Sequence, residues 1–137
     1  MKKRAIAGTI IIGFALVVPI HKVVDVEVKV MPIVKVRTKA TWAEKQANKV
    51  MAMRYASAGW GWDKRQRRCV YSLFMAESRF DHLAKNQKGS SAYGIAQMLK
   101  EKSSDPAVQI LRAYRYIEHR YQTPCRALYH HNKRNWY

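Results

Sequence analysis

The sequence has few acidic side chains. It carries nine Asp and Glu residues against 26 Lys and Arg residues in 137 positions, which gives a formal net charge of +17. The chain therefore offers few candidate residues for a catalytic or binding site that needs several free carboxylates. The excess positive charge favours polyanionic partners, namely nucleic acid, anionic lipid or an anionic cell-wall polymer, but it does not choose among them.

Cysteine is also scarce, with only Cys69 and Cys125. In a cytosolic protein these would be unrelated thiols, whereas in an exported protein we expect one disulfide that closes a long loop. The histidines lack further Cys or Asp residues at a metal-binding spacing, which argues against a zinc site. No G-x-S-x-G motif indicates a serine nucleophile.

Charge is missing from one stretch near the N-terminus, Ala5 to Ile20, which follows a basic start. The stretch is on the short side of the roughly 17–25 residues that span a bilayer, and it fits the apolar region of a secretory signal. No A-x-A cleavage motif follows it. We therefore expect residues 1–22 to be a signal peptide or a hydrophobic membrane-anchor helix, with a buried core segment as the remaining alternative. The bulk of the chain is then expected outside the cytoplasm.

Residues 23–40 show a different pattern. Apolar and charged residues alternate from Val23 to Val36, and Pro32 interrupts the alternation. This is typical of a strand, but no partner strand is evident elsewhere. We expect an extended connector.

From residue 41 the pattern becomes helical. Thr41 and Glu44 have the spacing of a capping box, Asp63 precedes a second helix, and Asp105 with Pro106 begins a third. For the first helix the pattern predicts an inner face of Ala43, Ala47, Val50, Met51 and Ala58. For the third it predicts an apolar stripe of Ile110, Ala113, Tyr114, Ile117 and Tyr121. The segment 41–137 is thus expected to be a mainly α domain with a short loop or β insertion after the second helix and a short helix near its end.

Glu77 does not fit the apolar pattern of the second helix. Val70, Leu73 and Phe74 lie on one helical face, and Glu77 is the next position of that face at i+7. One interpretation is a buried salt bridge. The other is a general acid, because burial keeps a carboxyl protonated near neutral pH. Asp81 is expected to cap or to stabilise a turn after the helix, so a mechanism with one carboxylate fits the shortage of acids.

Several blocks of the sequence resemble lytic transglycosylases of the SLT type. The segments "AESRFDHLAKN" and "SSAYGIAQML" resemble that family's Glu-Ser helix end and its G-(I/L)-x-Q block. The aggregation-promoting-factor C-terminal-like branch of lysozyme-like domains is closer still, with similar segments "CVYSLFMAES", "VQILRAYRYIEHRYQTPC" and "LYHHNKRNWY". The resemblance covers about residues 55–137. The sequence departs from the family patterns at Asp81, Ser91, Ala96 and the pair His131-Asn132.

The resemblance implies a lysozyme-like α+β fold in which Glu77 is the catalytic acid and Cys69 is bonded to Cys125. It implies substrate-binding roles for Ser78, Tyr93, Gln97 and His130. The implied activity is cleavage of the β-1,4 bond between N-acetylmuramic acid and N-acetylglucosamine, with 1,6-anhydro products and no cofactor or metal.

The implied partners are peptidoglycan glycan strands and, through the N-terminal segment, the bacterial membrane. The expected location is the inner membrane, facing the periplasm and cell wall, or the exterior after secretion. Three alternatives stay open: a non-catalytic cell-wall-binding protein, a phage muralytic or virion-associated protein that acts as a hydrolase, and a basic nucleic-acid-binding protein. No nucleic-acid-binding motif supports the third, so we expect no nucleic-acid partner.

Overall fold

The computed structural model describes residues 36–137, which contain four helices and one two-stranded sheet. In chain order these are α1 (Trp42–Ala58), α2 (Lys64–Glu77), β1 (Ala92–Tyr93), β2 (Met98–Leu99), α3 (Pro106–Tyr121) and α4 (Pro124–Arg134). The prediction of a mainly α fold with a small β insertion after the second helix is confirmed. The predicted signal or anchor at 1–22, with its hydrophobic helix, and most of the predicted connector lie outside the described residues. Within the described part, no helix combines the length and apolar character that crossing a bilayer requires.

The three predicted helix starts are confirmed. The Thr41 hydroxyl accepts a hydrogen bond from the Glu44 amide at 3.2 Å, and the Glu44 carboxylate accepts from the Thr41 amide at 2.7 Å. Asp63 accepts from a first-turn amide at 2.8 Å. Asp105 accepts from two first-turn amides, and Pro106 occupies the first position of α3. Each cap satisfies helix-end amides that lack a partner within the helix and contributes about 1 kcal/mol.

The hydrophobic core lies where α2 and α3 meet their neighbours. The predicted faces of both helices are confirmed, although Tyr121 is only half-buried. Fully buried core side chains include Val70, Leu73 and Phe74 from α2 and Ile110, Tyr114 and Ile117 from α3. Ala127 adds a contact from α4. Residues on one face of α2 therefore anchor the helix whose last residue is Glu77.

The predicted inner face of α1 is wrong except at Met51, which is half-buried against the core. The helix buries Asn48, Ala52 and Ala56, whereas Val50 is 50% exposed. The small alanines let α1 approach α3 closely, so that the Tyr114 hydroxyl donates to the Ala52 carbonyl oxygen at 2.7 Å. Asn48 is satisfied inside the protein because its amide donates to a backbone carbonyl oxygen at 3.0 Å. Helix proximity and a buried hydrogen bond thus select a face that apolar periodicity does not identify.

A disulfide between Cys69 and Cys125 joins α2 to α4 and confirms the predicted bond. The two cysteines are 56 positions apart in sequence. Closing a loop of this length restricts the unfolded chain and stabilises the fold by about 4 kcal/mol in the chain-entropy model.

The β insertion is fixed to α3 by one buried amide. Gln109 Oε1 accepts from the Ile95 amide at 2.9 Å, and its Nε2 donates to the carbonyl oxygens of His82 and Ser103 at 2.9 and 2.6 Å. Gly94, which begins the turn between β1 and β2, has φ +79° and lies against this side chain. A Cβ at Gly94 would overlap Gln109, so the close approach requires glycine.

Candidate active site

Glu77 lies where the buried face of α2 reaches a cleft. It is the last residue of the helix, and its side chain is 15% exposed. Burial raises the pKa of this carboxyl to about 7, since the charged form is poorly solvated there. A carboxyl with this pKa exchanges its proton near neutral pH, as a general acid and base must.

The cleft has a volume of about 380 Å³. The helix end, the β insertion and the C-terminal tail form its walls. Its lining residues are Glu77, Asn86, Ser90, Ala92, Gln97, Leu99, Asn135, Trp136 and Tyr137. The lining thus combines amide and hydroxyl groups, one exposed indole and one carboxyl group.

The C-terminal tail is held in place by contacts with the rest of the domain. The Tyr137 hydroxyl donates to the Ala96 carbonyl oxygen at 3.0 Å. Burial and the nearby Glu77 carboxylate raise the pKa of Tyr137, so its hydroxyl stays protonated. Asn135 ends α4 in the left-handed conformation, with φ 59°. The helix therefore turns sharply at Asn135, and the last two residues reach the cleft.

His131 contacts the candidate acid directly. Its Nε2 lies 3.2 Å from Glu77 Oε1, and its Nδ1 is buried without a hydrogen-bond partner among the described residues. A proton on Nδ1 would be a buried donor without an acceptor, which is costly. A tautomer that carries its proton on Nε2, which faces Glu77 Oε1, avoids this cost.

Sequence reasoning missed this role of His131, although a signal was present. Pro124, Ala127 and His131 have the spacing i, i+3, i+7, and Pro124 and Ala127 are buried in α4. This is the same spacing at which Glu77 follows the buried positions of α2. A polar residue on a buried helical face points to a polar partner inside the protein.

Apart from Glu77, no Asp or Glu side chain lines the cleft among residues 36–137. Asp81 accepts from the Ala40 and Leu83 amides at 3.0 and 2.9 Å and pairs with Lys45 at 3.0 Å. Burial opposes ionisation of Asp81, but these hydrogen bonds and the lysine outweigh it and lower the pKa. The expected turn role of Asp81 is observed. Glu101 is buried in an ion pair with Arg112, so it too has a structural partner.

Of the four predicted substrate-binding residues, Gln97 shares the cleft with Glu77. The Gln97 Nε2 donates to the carbonyl oxygens of Ala84 and Gly94 at 3.1 and 3.0 Å. Its Oε1 accepts no hydrogen bond within the described part of the chain. Gln97 therefore presents an acceptor to the cleft and uses its donors to hold the insertion.

Ser78 and His130 are not among the residues that line the cleft. The Ser78 hydroxyl donates to the Ile95 carbonyl oxygen at 2.7 Å and ties the end of α2 to the insertion. His130 Nδ1 lies 2.9 Å from the Trp136 carbonyl oxygen, and the two rings meet edge to face at 4.4 Å. Ser78 therefore holds the end of α2, and His130 holds the tail that carries the lining residue Trp136.

Tyr93 lies on β1, beside an adjoining depression of about 450 Å³. This depression shares Asn86, Ser90 and Ala92 with the cleft, and Lys85 and Lys102 also line it. The structure therefore places Tyr93 next to the Glu77 cleft and outside its lining.

The described residues contain no group of three or more His, Cys, Asp or Glu side chains arranged to hold a metal ion. Comparisons of the chain with protein-family models, with curated proteins and with solved structures give no match.

Proposed function

We propose that the protein is a peptidoglycan lytic transglycosylase with a lysozyme-like fold, in which Glu77 is the single acid and base. One observation carries this proposal: Glu77 is buried enough to have a pKa of about 7, and no second Asp or Glu side chain lines its cleft in the part of the chain described. Glycosidases that hydrolyse with two carboxylates hold them about 5–10 Å apart across the scissile bond. A single carboxyl fits a reaction in which the substrate supplies its own nucleophile.

In the proposed reaction Glu77 donates one proton and then takes up another. Protonated Glu77 gives its proton to the glycosidic oxygen, the bond from muramic acid C1 to that oxygen breaks, and N-acetylglucosamine leaves with a free 4-hydroxyl. The acetamido oxygen of muramic acid stabilises the positive charge at C1. The Glu77 carboxylate then takes the proton of the muramic acid C6 hydroxyl as O6 bonds to C1. Glu77 is regenerated, no water is consumed, and the product carries a 1,6-anhydro ring.

The His131 contact supports this cycle. His131 Nε2 lies 3.2 Å from Glu77 Oε1, and with a proton on Nε2 it leaves Oε2 free to carry the catalytic proton. Burial is the cause of the raised Glu77 pKa. A permanent cation beside the carboxyl would lower this pKa instead.

The cleft suits a chain of amino sugars. Asn86, Ser90, Gln97 and Asn135 provide amide and hydroxyl groups, and Trp136, which is 49% exposed, provides a flat aromatic surface. Sugar rings combine hydroxyl and acetamido groups with apolar faces, so they match both kinds of lining. The positive charge of the chain complements the carboxylates and phosphates of cell-wall polymers.

The disulfide supports a location outside the cytoplasm. Disulfides persist in oxidising compartments and are rare in the cytosol. Together with the expected N-terminal signal or anchor, the Cys69–Cys125 bond favours export to the cell wall, by secretion or with an inner-membrane anchor. Peptidoglycan, the proposed substrate, lies in the same compartment.

The experiment is digestion of purified peptidoglycan by the full chain and by Glu77→Gln. We expect the substitution to slow the release of soluble fragments by about 10²–10⁴-fold, which is the usual contribution of a general acid. Glu118→Gln, which alters an exposed acid on α3, is the matched control and should digest like wild type. Wild-type rates in Glu77→Gln would refute the assignment. Glycan binding without release by either protein would favour a non-catalytic cell-wall binder.

A further inference from the structure

A second surface lies on the outer side of α1 and α2. Three adjoining concavities, of about 480, 520 and 360 Å³, share lining residues and form one groove along these helices. We call it the α1–α2 groove. None of its lining residues lines the Glu77 cleft.

Large apolar side chains are exposed in this groove. Trp42 and Val50 of α1 are 76% and 50% exposed, and Tyr71 and Met75 of α2 are 37% and 38% exposed. Trp42 and Val50 are eight positions apart, and Tyr71 and Met75 are four apart, so each pair lies on one face of its helix. These four are half of the eight large hydrophobic side chains exposed in residues 36–137. Clustering of this kind marks an interaction site.

Positive charge surrounds these apolar side chains. Lys49, Arg54, Arg67 and Arg79 line the groove, and no Asp or Glu does so among the described residues. None of the four cations forms an ion pair with another described residue. The groove is thus an apolar surface with unneutralised cations at its edges.

We propose that the α1–α2 groove docks onto an anionic lipid bilayer. Cations attract lipid phosphates, and exposed apolar and aromatic side chains enter the boundary between head groups and acyl chains. A soluble anionic polymer would use the cations but would leave Val50 and Met75 without a partner. A nucleic acid would stack on Trp42 and Tyr71 and would leave the same two aliphatic side chains unused.

The position of Glu77 fits this docking. At 100° per residue, Glu77 points about 200° around α2 from Met75, so the cleft and the groove open on nearly opposite sides of the helix. A domain docked through the groove would keep its cleft open, facing away from the lipid. The inference goes beyond the proposed function and does not depend on catalysis.

The experiment places an environment-sensitive NBD fluorophore at Val50→Cys in the full chain, where the native cysteines are bonded to each other. Tyr129→Cys on α4, which is 66% exposed outside the groove, is the matched control position. The labelled protein is mixed with vesicles of equimolar phosphatidylglycerol and phosphatidylcholine, or with vesicles of phosphatidylcholine alone. Protein bound to the vesicles is recovered by flotation, and its NBD emission is measured. We expect a blue shift at position 50 with the anionic vesicles, and none at position 129.

Charge reversal tests the cations. Lys49→Glu with Arg54→Glu should abolish the blue shift at position 50, whereas Arg115→Glu with Arg134→Glu, which changes the net charge equally outside the groove, should preserve it. An unchanged helical circular dichroism signal shows that the variants are folded. Equal emission at positions 50 and 129 would overturn the proposal. A blue shift at position 50 before vesicles are added would mean that another part of this chain or a second copy covers the groove. A blue shift induced by an oligonucleotide, and not by vesicles, would mean that the groove binds nucleic acid.

Discussion

Replacing Glu77 by glutamine keeps the shape of the cleft side chain and removes its titration. Burial raises the pKa of this carboxyl from an ordinary 4.5 to about 7. Because the folded-state pKa is the higher one, folding favours the protonated form. Below pH 4.5 the acid is protonated in both states, and burial carries no charge penalty. Between pH 4.5 and 7 the wild-type protein loses stability, and the two pKa values correspond to a loss of about 3 kcal/mol.

The Glu77→Gln variant avoids this loss because its amide is neutral at every pH. Denaturant unfolding from pH 4 to 8 should show the variant gaining about 3 kcal/mol in unfolding free energy relative to wild type. Glu118→Gln, at an exposed position of α3, should show a difference that varies by less than about 0.5 kcal/mol. A difference that stays flat as pH rises would mean that burial does not shift the Glu77 pKa, and one that falls would mean that Glu77 is a stabilising ion-pair partner; either result would refute the raised pKa.

Four further predictions concern activity and stability. Glycan cleavage should slow as pH rises above about 7, because Glu77 must be protonated to act as the acid, and a rate that increases through this pH would contradict that role. His131→Ala should lower kcat on the order of 10- to 100-fold with little change in KM, and His131→Gln, which keeps an N–H donor, should restore part of it; equal losses would indicate a merely structural residue. Cys69→Ser should lower the unfolding free energy by about 4 kcal/mol in non-reducing denaturant titrations, and a loss under about 1 kcal/mol would show that the bond adds little. In the same titrations Gly94→Ala should cost about 3 kcal/mol, because its Cβ would overlap the buried amide that holds the insertion. Gly61→Ala, with a similar positive φ but open surroundings, should cost only about 1 kcal/mol, and equal costs would exclude the overlap as the cause.

The parts of the fold that depend on local sequence were predictable. The Thr41–Glu44 capping box, the Asp63 cap and the start of α3 at Pro106 follow from contacts within one helical turn. The α3 stripe follows from strong apolar periodicity. The face of α1 was not predictable in this way, because alanines occur all around the helix and one buried position is Asn48. Which face packs depends on the approach of α3, which is tertiary information.

The candidate site was predictable to a similar degree. The position of Glu77 on an apolar stripe identified it as unusual, and the disulfide followed from the resemblance together with the expected export. The hydrogen bonds that occupy Ser78 and the Gln97 amide nitrogen were not predictable, since their acceptors are backbone carbonyls 13–17 positions away or in a turn. His131 was predictable in principle from its spacing, but its pairing with Glu77 requires knowledge of how α4 packs on α2.

Mass spectrometry of the fragments that the full chain releases from purified peptidoglycan distinguishes a lytic transglycosylase from a hydrolase. If Glu77 is the single acid and base, the muramic acid ends carry a 1,6-anhydro ring and therefore lack the mass of one water. Reducing muramic acid ends would contradict this role, because they would show that water is the nucleophile and that a second group must activate it.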